Sequence, residues 1–274
     1  MLDSLDRITG QQYTSYFLIS GPCAVEDYDT CAVVAERVAT IASRLSVPYI
    51  FKASYKKANR TRLDSFSSIG IEEALEILDR IRSDFAVPVL TDVHESTEVA
   101  RVAQVADVLQ IPAFLCRQTD LLVAAGESGR CVNVKKGQFM SGAGMAHAVE
   151  KVYSTKNENV WLTERGNSFG YQDLIVDMRN IAEMNHSAKA VIIDCTHSVQ
   201  RPNAATGITG GTPDRIELIA RAGIAAGAHG IFIETHPDPS RALSDGANML
   251  PLDEIEGLLE RIHRLSLSVR EIYG

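Results

Sequence analysis

The sequence predicts an α/β fold, a single (β/α)8 barrel spanning residues 1–274. Two observations predict it. Short β-branched or aromatic runs alternate with longer amphipathic stretches along the whole chain, and there are eight such pairs. The runs are apolar on both faces, as the strands of a buried parallel sheet are. An open doubly wound sheet is compatible with the same alternation. However, the first turn has no GxGxxG fingerprint, and the nearest glycine cluster, Gly142-Ala-Gly144, lacks the third glycine. The count of eight favours the closed barrel.

The elements follow in order. The first strand is expected at Tyr16-Phe-Leu-Ile-Ser20. The helix after it, Asp29 to Leu45, carries Val33, Val34, Val38, Ile41 and Leu45 on one face. Pro48 to Lys52 is the second strand, and Glu72 to Arg82 its helix, with Leu75, Leu78 and Ile81 spaced for burial. Val87 to Thr91 precedes a helix from Ser96 to Gln104. Val108 to Ile111 precedes one from Thr119 to Glu127. Cys131 to Val134 is followed by Ala143 to Tyr153, and Val160 to Thr163 by Asp173 to Met184. Ala190 to Asp194 leads through a Gly-rich loop to a helix from Pro213 to Ala226. Gly230 to Glu234 is the eighth strand, and Asp253 to Val269 closes the chain.

Apolar residues make up 45% and charged residues 23%, the balance of a folded globular protein. The net charge of −8 argues against a nucleic-acid partner and against an anionic membrane surface. The five cysteines are widely spread with no CxxC pair, a pattern that fits a reducing compartment. Met1 to Thr14 has no apolar signal-peptide core. A cytoplasmic protein is the expectation.

Polar residues crowd the C-terminal ends of the strands, where barrels of this kind place their sites. The ends read Gly21-Pro-Cys23, then Lys52-Ala-Ser54 with Lys57-Ala-Asn59-Arg60, then Asp92-Val-His94-Glu95 and Arg117-Gln118. They continue with Lys135-Lys136 and Gln138, Glu164-Arg165, Asp194-Cys-Thr-His197, and Glu234-Thr-His236, with Asp245 beyond. Lys52, Lys57, Arg60, Arg117, Lys135 and Arg165 concentrate positive charge in an acidic chain, which points to a ligand with more than one anionic group. Cys23, His197, Glu234 and Asp245 form a plausible shell for a divalent transition metal. Their spacing is too wide to be a motif, and a buried unliganded thiol is the alternative at Cys23.

Several strings carry a resemblance. They include Gly21-Pro-Cys-Ala-Val-Glu26, Lys57-Ala-Asn-Arg60, Thr91-Asp-Val-His-Glu95, Ile111-Pro-Ala-Phe-Leu-Cys-Arg-Gln-Thr-Asp120 and Val132-Asn-Val-Lys-Lys-Gly-Gln-Phe139. Thr163-Glu-Arg-Gly166, Thr196-His-Ser-Val-Gln200 and Glu234-Thr-His-Pro237 continue it. Together they resemble the phosphoenolpyruvate-condensing synthases of 3-deoxy-ulosonic acid phosphates, in particular the metal-dependent class of octulosonate 8-phosphate synthases. That resemblance implies condensation of phosphoenolpyruvate with arabinose 5-phosphate in lipopolysaccharide biosynthesis, and a homotetramer.

The resemblance also implies residue roles. Cys23, His197, Glu234 and Asp245 would hold a metal, with zinc, iron, manganese and cobalt all admissible. Lys135 and Arg165 would hold the phosphoenolpyruvate phosphate, with Lys52, Ser54, Lys57 and Gln138 around its carboxylate. Asn59, Arg60 and Thr61 would contact the sugar phosphate, which Arg117 would reach across a subunit interface. Lys52, Asn59, Asp92, Lys135 and His197 are the candidate catalytic residues. The family's usual string after Ala-Asn-Arg is changed here at Arg62, Asp64, Ser67 and Ser68, and the loop Arg201 to Gly211 differs too. Three rivals remain: a heptulosonate phosphate synthase using erythrose 4-phosphate, a sialic-acid-type synthase, and a non-catalytic phosphate-binding barrel.

Overall fold

The computed structural model describes residues 16–60, 64–170, 173–201 and 210–273. Eight parallel strands form the barrel wall: β1 (Phe17–Gly21), β2 (Tyr49–Lys52), β3 (Val89–Asp92), β4 (Val108–Ile111), β5 (Cys131–Lys135), β6 (Val160–Glu164), β7 (Ala190–Asp194) and β8 (Gly230–His236). Each pairs with its sequence neighbour, and β8 returns to β1 in register from Phe17 against Gly230 to Gly21 against Glu234. The closed barrel is therefore the observed fold, and it leaves no unpaired edge.

The helices among the described residues are α1 (Tyr28–Arg44), α2 (Ile71–Phe85), α3 (Val99–Val102), α4 (Thr119–Glu127), α5 (Ala146–Tyr153), α6 (Arg179–Asn185), α7 (Ile216–Ala225) and α8 (Ile255–Tyr273). Asp27 caps α1, its Oδ1 accepting from the Thr30 amide at 2.7 Å. The apolar faces of the helices pack on the outward side chains of the strands. Leu18, Phe51, Val89, Leu109, Val132, Leu162, Val191 and Ile231 meet Val34, Val38, Leu78, Ile81 and Ile262 in one continuous core.

Several expectations need correction. Val33 is 49% exposed and not part of the buried face of α1, where Val34 and Val38 suffice. The helix expected from Asp173 begins at Arg179. Ile175 instead makes an antiparallel bridge with Asn167, and the Asp177 carboxylate accepts from the Arg179 amide at 3.1 Å, which starts the helix there. The expected helix Ser96 to Gln104 is a 3-10 turn at Ser96–Glu98 followed by the short α3. The helices expected from Ala143 and Pro213 also open with 3-10 turns. β8 extends to His236, and the closing helix runs to Tyr273.

Strand parity divides the barrel interior into two storeys. The lower is apolar: Phe17, Ile19, Ile50, Leu90, Val108, Cys131, Trp161, Ala190, Ile192 and Phe232 form a separate cluster. Two residues further along each strand, the same inward face carries Lys52, Asp92, Gln110, Asn133, Thr163, Asp194 and Glu234, all buried. At the upper rim β1 and β2 approach so closely that a Cβ on Gly21 would lie 2.1 Å from the Lys52 carbonyl oxygen. Only glycine fits there. No helix among the described residues is long and apolar enough to cross a membrane.

Candidate active site

The upper storey is wired across five strands. Asp92 accepts from the Ser54 hydroxyl through one carboxylate oxygen and from the Gln110 amide through the other. Asn133 then donates to Gln110 Oε1 at 3.0 Å, and Thr163 donates to Asn133 Oδ1 at 2.8 Å. Every bond lies inside the barrel, so this chain fixes the floor beneath the charged residues. Burial alone would raise the Asp92 carboxyl, but Lys52 and Lys57 outweigh it and hold the group below the usual carboxylate range.

At the β8–β1 seam, Lys52 Nζ pairs with Glu234 Oε1 at 2.6 Å and donates to the Cys23 carbonyl at 3.0 Å. Glu234 Oε2 is buried without a hydrogen-bond partner. Cys23 Sγ lies 3.2 Å from Asp245 Oδ2 and 3.2 Å from Ser244 Oγ. Cys23, Glu234 and Asp245 each offer a ligand atom within 4.8 Å of one another. His197 stands at the edge of this set, with Nε2 3.6 Å from Glu234 Oε2. Asp245 has a left-handed backbone, φ 52°, unusual for a residue other than glycine.

The donors suit a cation. Burial, then Glu234, pushes the Cys23 thiol up, which favours the neutral thiol. Glu234 behaves oppositely: burial would raise it, but Lys52, His197 and Lys57 hold it at about 2. A thiol between two carboxylates, beside an unpartnered carboxylate oxygen, is a place where a divalent ion would replace a proton.

Asp194 organises the other side. Its Oδ1 accepts from the amides of Thr196 and His197, at 3.1 and 2.8 Å, bending the chain after β7 so that the His197 ring swings inward. Its Oδ2 lies 2.8 Å from His197 Nδ1 and 2.6 Å from Lys135 Nζ. A proton on Nδ1 facing Asp194 leaves Nε2, on the metal-cluster side, with its lone pair free. Lys135 also stands 4.2 Å above the centre of the Phe232 ring. Arg165 donates to the His197 carbonyl at 3.0 Å and to Gln200 Oε1 at 2.9 Å, while its Nε is buried and unpartnered. Burial lowers both cations, and at Lys135 the neighbouring Lys52 and Arg165 add to the depression. Two buried cations crowded together form a natural anion site.

The remaining expected residues fall into three groups. Ser54, Lys57 and Gln138 are buried near this layer, and Gln138 Oε1 is unpartnered. Arg60 bends inward, donating from Nε to the Phe66 carbonyl at 2.7 Å and from Nη2 to Ser244 Oγ, next to Asp245. Asn59 and Arg117 are exposed. Thr61 lies outside the described residues, as do Arg62 and most of the divergent loop after β7. Sequence reasoning assigned no role to Asp194, Gln110, Asn133 or Thr163. Their signal was present in the two-residue alternation with Lys52 and Glu234.

Fold and site together define a barrel enzyme with two buried cations beside a cluster of side chains able to hold a metal ion. The chain belongs to the DAHP synthetase I family, whose model matches residues 4–270. It is similar to the proteins named 2-dehydro-3-deoxyphosphooctonate aldolase. The one from Syntrophobacter fumaroxidans is 47% identical over 259 residues, covering 94% of this chain and 90% of the relative. That of Trichlorobacter lovleyi is 49% identical over 253 residues, covering 92% and 93%. That of Koribacter versatilis is 49% identical over 256 residues, covering 92% of each.

Proposed function

We propose that this chain condenses phosphoenolpyruvate with D-arabinose 5-phosphate and water, giving 3-deoxy-D-manno-octulosonate 8-phosphate and phosphate. The product serves lipopolysaccharide biosynthesis. The observation that carries the reading is the pairing of buried Lys135 and Arg165 beside the cluster of Cys23, Glu234 and Asp245. The near-half identity to octulosonate-phosphate relatives along nearly the whole chain supports the choice of substrates.

In this reading Lys135 and Arg165 hold the phosphoenolpyruvate phosphate, with Lys52, Ser54, Lys57 and Gln138 around its carboxylate. Asn59, Arg60, Thr61 and the partner-facing Arg117 hold the sugar phosphate. The methylene carbon of phosphoenolpyruvate forms the new bond to the aldehyde carbon, whose oxygen gains a proton. Water adds to the adjacent enol-ether carbon as positive charge develops there. The resulting tetrahedral centre loses phosphate by C–O cleavage. Holding both substrates together supplies much of the acceleration, because the reaction is otherwise bimolecular. Lys135 and Arg165 are positioned to stabilise the departing phosphate. Asp92, fixed by Ser54 and Gln110, is one of the negative charges that favour the ammonium form of Lys57 beside the substrate carboxylate.

Cys23, His197, Glu234 and Asp245 would hold a divalent transition metal, which when bound supplies a Lewis-acid centre for the aldehyde or the attacking water. Residues 1–274 form one catalytic domain in this reading, working in the cytoplasm. Four copies assemble, with exposed Phe114, Phe139 and Phe169, all on loops following strand ends, available for burial between them.

The test is phosphate release from phosphoenolpyruvate with arabinose 5-phosphate and erythrose 4-phosphate supplied separately, before and after chelation. Turnover with arabinose 5-phosphate alone is expected. Preference for erythrose 4-phosphate, or inactivity with both, overturns the reading.

A further inference from the structure

Next to the anion pocket, on the other face of the same two strands, lies a buried ion pair. Lys136 and Glu164 are each 0% exposed, and Lys136 Nζ stands 3.3 Å from Glu164 Oε1. Strand alternation links the two faces. Lys136 follows Lys135, and Glu164 precedes Arg165, so each member of the pair is bonded in sequence to one cation of the pocket. When Lys135 and Arg165 turn inward, Lys136 and Glu164 turn toward the helices.

The pair gathers both loops that frame the pocket. Lys136 Nζ is 3.3 Å from the Met140 carbonyl in the loop after β5. It is 3.3 Å from the Gly166 carbonyl and 3.1 Å from Asn167 Oδ1 in the loop after β6. Glu164 Oε1 also accepts from the Gly166 amide at 2.6 Å, closing a tight ring around Arg165. Gly166 sits at φ +89°, a conformation that this ring requires and glycine permits. Ser168 then donates to the Gln138 carbonyl at 3.1 Å, joining the loops again beside the pocket.

Stability alone does not account for such a pair. Two charges taken fully out of water cost more than a well-packed apolar pair of similar volume, whereas orphaning one of them is strongly destabilising. What the pair supplies is position, because its contacts fix the backbone from which Lys135, Gln138 and Arg165 project.

We propose that Lys136 and Glu164 are positioning residues that set the spacing of Lys135 and Arg165 for the phosphate of phosphoenolpyruvate. The proposal rests on the substrate reading above. It adds a pair that touches no substrate and acts through the two loops.

The experiment compares wild type, Lys136→Met, and the double variant Lys136→Met with Glu164→Met. Calorimetric binding of phosphoenolpyruvate alone, KM for each substrate, kcat and Tm are measured for each. In the single variant, Tm falls because Glu164 is left unpaired. In the double variant, Tm recovers toward wild type, while phosphoenolpyruvate binding and its KM stay weakened by about tenfold or more, as expected for a misplaced binding group. KM for arabinose 5-phosphate changes far less in both. A double variant that recovers wild-type phosphoenolpyruvate affinity along with Tm overturns the proposal, as does an equal rise in both KM values. Wild type that binds no phosphoenolpyruvate overturns the substrate reading itself, a distinct result. If the single variant does not fold, the double variant decides alone.

Discussion

Lys135 and His197 converge on one oxygen. Asp194 Oδ2 lies 2.6 Å from Lys135 Nζ and 2.8 Å from His197 Nδ1, so a single buried carboxylate ties Lys135 to the histidine at the edge of the Cys23, Glu234 and Asp245 cluster. Asp194→Asn keeps the shape and removes the charge. It is expected to weaken metal binding by about 10- to 100-fold, because the His197 ring loses its orienting acceptor. Metal content after dialysis against graded chelator reads this directly, and unchanged retention contradicts the role given to Asp194.

Cys23→Ala removes the sulfur from the cluster with Glu234 and Asp245. The protein is expected to purify with little bound transition metal and to lose activity that added metal does not restore. Wild type treated with chelator is expected to lose activity and regain it on metal addition. Elemental analysis alongside the phosphate-release assay checks both arms.

Lys135→Met deletes the cation beside Arg165 and leaves Asp194 with less compensation. The expected loss in kcat/KM is about 10²-fold or more, the scale of removing one charge-stabilising group from a water-excluded site. Lys135→Arg keeps the charge with different geometry and is expected to recover only part. Steady-state kinetics with phosphoenolpyruvate varied separates the two.

Asp92 gives a pH prediction. Lys52 and Lys57 overcome the effect of burial and depress its carboxyl in the folded protein. A depressed carboxyl contributes stability above its unfolded value, about 4, and that contribution is lost as the pH falls below it. Wild-type Tm is therefore expected to fall steeply on the acid side of pH 4, and that of Asp92→Asn less steeply. Equal slopes in thermal melts across this range contradict the assignment.

Asp27→Ala serves as the control. It removes the exposed cap on α1, a side chain given no part in binding or chemistry, and is expected to cost about 1 kcal/mol with kcat largely kept.

Much of this was legible in the residues. The alternation of runs places all eight strands within a residue or two, and of the strand-end set Cys23, His197, Glu234 and Asp245 the structure clusters Cys23, Glu234 and Asp245, with His197 at the edge. What sequence order hides is which way a side chain faces. Lys135 and Lys136 are adjacent and chemically identical, yet one lines the pocket and the other pins the loops behind it. Counting alternate positions from Lys52, Asp92 and Glu234 would have assigned them, and would have drawn in Gln110, Asn133 and Thr163. The helix expected from Asp173 failed for a local reason. Six residues preceding Arg179 with helical spacing are taken instead by the Asn167–Ile175 bridge and the turn in which Asp177 accepts from the Arg179 amide.

The seam where β8 meets β1 joins the beginning of the chain to its end. The Cys23–Asp245 contact spans 222 residues. The two halves of the cluster meet only after almost every strand has been made and threaded into the ring. An ion held there would act as a rivet across that loop, tethering early and late segments that thermal motion would otherwise part. A product truncated before β8 would consequently be no partial catalyst: it would lack Glu234 and Asp245 as well as the strand that closes the wall.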